Sequence, residues 1–323
     1  MALNTKRDTS LDFISGLLII HMILGHTMAF PFIKTFNYLQ CVFFFYMPWF
    51  FFKSGMFYKH EDDFKSFITK KVERLIKPFI FFSLLGEPFF ILDSYTTGYP
   101  LSDWYHYTAS LRTLPYFGNL AGNPPCWFLL SLFVIFVAFN LVLYKSNKIL
   151  CSLLLLGILL VNHFYNPFPI YSITHTLSGC LFFMLGFVLK ELQYKKNILI
   201  VSLLVLALAI PFNSFVGMAF DLLEFGYYIL WYPFSLAAII VVNKAAKYIP
   251  GETFFSKFFV WVGQNSMLLL VVHWPILIAL KIAFLNTGIF TEAWQFVLVS
   301  VLSIAVLTPI LKKLISKIKF IKI

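Results

Sequence analysis

The ionisable side chains deep within long apolar runs are His21, His26, Lys53, Glu87 and His273. Such groups are costly in an apolar setting and mark functional positions by default. A histidine is mostly neutral at pH 7, so it can take a proton from a hydroxyl or act as a nucleophile. A carboxylate such as Glu87 or Asp12 can orient an imidazole by hydrogen bonding. Asp12 and His26 share a helix face but lie about 21 Å apart along the axis, which makes Glu87 the better partner. His21 precedes His26 by five residues and points about 140° away from it on a helix, so it is expected to be a structural polar group. Lys53 is within snorkelling reach of the membrane surface and is expected to point there. Other chemistries have no support: neither GxSxG nor HExxH occurs, and there is no glycine-rich phosphate loop. Cys41, Cys126, Cys151 and Cys180 form no CxxC pair and read as small core residues. No metal and no tightly bound cofactor is expected.

The elements that must position these groups follow from composition. Of 323 residues, 60% are hydrophobic and 12% charged, with 41 phenylalanines. Mean hydropathy is +0.84. Too few charged residues remain to cover a soluble core of that size, and the aromatic content excludes disorder. The chain is therefore expected to be all-α and polytopic, a single membrane domain over 1–323 without a separate soluble domain. Ten apolar spans can be marked: 11–30, 36–58, 75–92, 125–144, 148–164, 174–191, 197–213, 226–243, 258–281 and 294–312. On alternate sides of these spans Lys and Arg divide 21 to 3, with Lys53 inside a span. That asymmetry places both termini in the cytoplasm. The net charge of +11 then reflects cationic inner loops and not a nucleic-acid partner.

Depths follow from a rise of 1.5 Å per residue. His26, Glu87 and His273 lie about 22, 20 and 18 Å into three outward-running helices, which permits a shared polar cavity. A helix broken at Pro88 would add backbone dipoles to that cavity. The long outward loop, 93–124, holds Tyr95, Tyr99, Trp104, Tyr105, Tyr107, Tyr116 and Phe117. It reads as an interfacial segment or as a platform for sugar rings, with Asn119 and Asn123 offering groups to hydroxyls.

Several stretches resemble the membrane-bound acyltransferase family 3, the O-acyltransferases that decorate surface polysaccharides. Leu11-Asp12-Phe13-Ile14-Ser15-Gly16 leads through an apolar run to Gly25-His26. Phe51-Phe52-Lys53-Ser54-Gly55 closes the second span, and Arg74-Leu75 with Pro78 opens the third behind Lys70 and Lys71. Trp127-Phe128-Leu129 opens the fourth, and Gly263-Gln264-Asn265-Ser266 precedes His273. The likeness runs from residue 11 to about 275. It departs where the family has a basic residue eleven positions before the histidine: this chain has Ser15, and Lys6, Arg7 and Lys53 are the candidates to stand in for it.

The resemblance implies transfer of an acyl group, most often acetyl, from acyl-CoA to a sugar hydroxyl of a surface polysaccharide or its lipid-linked precursor. His26 would act as base or acyl carrier and Glu87 would orient it. Lys70, Lys71, Arg74 and Lys77 would hold the coenzyme A phosphates, although such a cluster also follows from positive-inside topology and contact with anionic lipid. Trp104, Trp127, Asn265, Ser266 and His273 would contact substrate. The expected partners are acyl-CoA, a glycan acceptor and the bilayer, in a bacterial inner membrane. The oligomeric state is left open. A transporter or glycan flippase is the alternative, and it lacks the internal repeat common in transporters.

Overall fold

The computed structural model describes residues 9–27, 43–165, 170–209, 228–249, 251–285 and 293–318, all helix, turn or loop. In chain order the helices are α1 (Thr9–Thr27), α2 (Tyr46–Met56), α3 (Phe64–Thr96), the short α4 (Trp104–Tyr107) and α5 (Ala109–Phe117), then α6 (Pro124–Leu143), α7 (Lys148–Tyr165) and α8 (Tyr171–Leu189). They continue with α9 (Lys196–Ala209), α10 (Tyr228–Ala246), α11 (Phe254–Gln264), α12 (Ser266–Leu280) and α13 (Ala293–Ile315).

Among the described residues six helical stretches are long and apolar enough to cross a membrane: α1, α3, α6, α8, Ser266–Phe284 and Trp294–Ile315. Lys148–Asn162, Lys196–Leu208 and Trp231–Ala246 are shorter apolar helices. Parts of the expected spans 11–30, 36–58, 197–213 and 226–243 lie outside the described residues, as do Lys6, Arg7, Lys34 and Cys41.

Four expectations change. The third span begins well before residue 75. Asp63 caps it, its carboxylate accepting from the N–H groups of Lys65 and Ser66, and a π-turn at Val72–Ile76 joins the amphipathic start to the apolar remainder. The helix also continues through Pro88 to Thr96. In an apolar setting no water competes for the remaining backbone bonds, so the loss of one N–H does not end the helix. The ninth span is the one that breaks. Thr253 caps α11, and Asn265 interrupts the span with φ −106° and ψ 14°, its side-chain amide donating to Trp261 O at 2.7 Å. Much of the 93–124 loop is helical. Asp103 caps α4, and the His106 ring stacks on Tyr99 at 3.8 Å.

Glycines set the closest helix contacts. A Cβ on Gly16 of α1 would collide with Phe259 O, and one on Gly263 of α11 with Asp12 O. Gly55 of α2 and Gly186 of α8 form a second such pair, against Phe183 O and Phe52 O. Apolar side chains gain little by leaving lipid for one another, so close backbone approach through small residues carries the packing. The fully buried Trp49, Phe51, Phe52, Phe182 and Phe183 fill the centre. Trp49 is anchored there by its indole N–H, which donates to Asn243 Oδ1 at 2.7 Å.

Candidate active site

His26 lies in the last turn of α1 and His273 midway along α12. His26 Nδ1 and His273 Nε2 are 2.7 Å apart. The ring planes differ by 6° with centroids 5.0 Å apart, the geometry of an edge-to-edge hydrogen bond between coplanar rings. His273 Nδ1 lies 2.8 Å from Leu269 O. A carbonyl oxygen only accepts, so His273 carries its proton on Nδ1. Its Nε2 is then the acceptor, and His26 must donate from its own Nδ1. With both rings neutral, the order Leu269 C=O, His273, His26 leaves His26 Nε2 with an open lone pair. His273 is fully buried and His26 half-buried. The Trp274 ring meets His26 edge-on at 5.5 Å.

Glu87 is placed differently from the expectation. Its Oε1 accepts from the Ser110 hydroxyl at 2.6 Å and from the Gly122 N–H at 3.0 Å. It thereby clips the 93–124 loop onto α3 where Gly86 and Gly122 touch backbone to backbone. The His26 hydrogen bond goes to His273 instead. Asn123 serves the same clip, since its amide donates to Val271 O at 2.8 Å and Phe82 O at 3.3 Å. Lys281 and Asp93 add an ion pair at 2.8 Å between the C-terminal ends of α3 and α12.

His21 points away from the pair and packs on Phe43 and Tyr46. Lys53 turns toward the first turns of α1. Its Nζ donates to Ser15 Oγ at 2.6 Å and lies 3.6 Å from Asp12 Oδ1. A cation from α2 thus reaches the α1 position where the resemblance leads one to expect a basic residue. The pairing was invisible in the sequence because it depends on how α1 and α2 are rotated against each other. A lysine inside an apolar run was the available signal.

Beside Lys53 lies a cavity of about 190 Å³, bordered by α1, α2, α6 and α12. Ser266, at the helix break, lines it, whereas the Asn265 side chain is spent on the break itself. Trp127 packs between Phe51 and His175. Trp104 is 75% exposed at the start of α4. The basic cluster is largely engaged. Lys70 pairs with Glu61 at 2.6 Å, Lys77 with Glu73 at 3.9 Å, and Lys71 lies 3.5 Å from the Phe136 ring centroid. Arg74 is exposed and makes no ion pair among the described residues.

A family model described as an acyltransferase domain matches residues 8–312, nearly the whole chain. The protein belongs to the membrane-bound acyltransferase family 3. No curated protein and no solved structure gave a match.

Proposed function

We propose that the protein is a membrane O-acyltransferase that moves an acyl group, acetyl in the simplest case, from acyl-CoA to a hydroxyl of a surface polysaccharide or its lipid-linked precursor. The observation that carries this reading is the open Nε2 of His26, its tautomer set by His273 and the Leu269 carbonyl. That nitrogen takes the proton of the sugar hydroxyl as the oxygen attacks the thioester carbonyl. The carbon–sulfur bond then breaks, and the departing thiolate takes the proton back from the imidazolium. His273 holds the ring and spreads the transient positive charge, the part a buried carboxylate plays in hydrolase triads.

The supporting arrangement is two-sided. The charge split of 21 to 3 favours ten spans with both termini inside, which puts Arg74 and its neighbours on the cytoplasmic face where acyl-CoA is made. The outward loop, with Trp104 and Tyr105 exposed, then faces the acceptor. This is the layout of an enzyme of the bacterial inner membrane. Cysteine labelling is expected to find Lys65, Lys196 and Lys313 positions accessible from inside and the Trp104 position from outside. Labelling of positions 65 and 313 from opposite sides would overturn the ten-span arrangement.

The deciding experiment compares the surface polysaccharide of cells with and without the protein. Loss of an O-acyl ester on deletion, with acetyl-CoA turnover by the purified protein, is the expected result. An unchanged ester pattern with accumulation of an untransported glycan would favour a flippase.

A further inference from the structure

The cavity beside Lys53 points along two helix faces toward the histidine pair. Ser15, Ile19 and Met22 of α1 line it, spaced four and three residues apart, and the next residue on that face is His26. On α12, Ser266 and Leu270 line it, and the next on that face is His273. The two faces converge on one end, and Lys53 stands at the other. Along α1 the separation between Ser15 and His26 is about 16 Å. An extended pantetheine arm spans a comparable distance between its sulfur and the diphosphate. The walls suit that arm, because the hydroxyls of Ser15, Ser54 and Ser266 interrupt an otherwise apolar lining of methionine, leucine and phenylalanine.

Lys53 itself has no need to be here. A lysine near a membrane surface normally turns its ammonium to water. This one turns to a nearly buried carboxylate, and withdrawing charges from water costs desolvation that an ion pair often fails to recover.

Resting on the acyl-CoA reading above, we propose that Lys53 receives the diphosphate end of the donor at the inner end of this cavity, and that Asp12 holds the ammonium in position until the donor takes over as its anion. The pantetheine arm then lies along the Ser15–Met22 face of α1 and presents the thioester to His26. Lys53 is a donor-binding residue and Asp12 a competing anion, so their removal has opposite consequences. A purely structural ion pair would make the two removals alike.

The test is steady-state kinetics of the purified, full-length protein with two donors, acetyl-CoA and the truncated S-acetyl-pantetheine, which lacks the diphosphate. Lys53→Met is expected to raise KM for acetyl-CoA about tenfold or more, the size of a lost charged hydrogen bond, and to leave KM for S-acetyl-pantetheine unchanged. Asp12→Asn is expected to lower KM for acetyl-CoA, and Lys53→Arg to retain most of the wild-type preference for the full donor. Because the readout is a ratio of donors within one variant, partial loss of folded protein cancels. Equal losses on both donors in Lys53→Met, or an Asp12→Asn variant that behaves like Lys53→Met, would overturn the assignment of Lys53 alone. A wild-type protein that turns over neither donor would overturn the acyltransferase reading and this inference with it.

Discussion

Replacement of His26 by alanine is expected to lower acyl transfer by about 100- to 10,000-fold, the range for loss of a general base. The expectation rests on the open Nε2, the one nitrogen of the histidine pair to which the tautomer order assigns neither a proton nor a hydrogen-bond partner. His26 is half-buried at the end of α1, so its truncation leaves the α1–α11 contact through Gly16 and Gly263 intact and the protein should still insert. Turnover of acetyl-CoA with a glycan acceptor checks this, on protein shown by labelling to have normal topology. His21→Ala is the matched control, because that ring packs on Phe43 and Tyr46 and reaches no part of the pair. Wild-type turnover in a well-expressed His26→Ala protein would remove the proposed base.

The second large effect is expected at His273, and its pattern is more diagnostic than its size. His273→Leu removes the acceptor for His26 Nδ1–H and leaves the Leu269 carbonyl without its side-chain donor. The His26 ring is then free to rotate or to move its proton to Nε2, where it no longer serves as a base. A loss of about 100-fold or more in kcat is expected, with donor KM little changed, since a wrong tautomer in a serine-hydrolase triad costs roughly 10,000-fold. His273→Gln keeps an acceptor near the position of Nε2 and should recover part of the rate. If leucine and glutamine variants are equally impaired in kcat, His273 is a packing residue and the tautomer order plays no part. If both retain wild-type kcat, the pair has no role in catalysis.

Much of the architecture was legible along the chain, and the reason is physical. Hydropathy and the number of residues needed to cross a bilayer are local properties, so the apolar helices and the family resemblance could be read without any contact between helices. The same holds for His26, conspicuous because an ionisable group in an apolar run is expensive wherever its neighbours lie. Depth could also be read: the similar heights assigned to His26 and His273 are consistent with the 2.7 Å contact between them.

What height along a helix leaves undetermined is rotation about the axis, and only the tertiary structure decides that. By helix rise alone Glu87 has a depth similar to the two histidines, yet its carboxylate serves Ser110 and the Gly122 N–H because α3 turns it toward the 93–124 loop. Lys53 had two open directions, toward water or toward α1. The presence of Asp12 and Ser15 within reach on a neighbouring helix selected the second. The break in the ninth span likewise fell at Asn265 and not at a proline, because a side-chain amide could satisfy Trp261 O there while α3 ran unbroken through Pro88. Composition and periodicity thus determined which segments enter the membrane and which polar groups enter with them. The rotations and crossings set by glycine contacts such as Gly16 with Gly263 determined which of those groups meet, since a hydrogen bond between two helices is a property of neither helix alone.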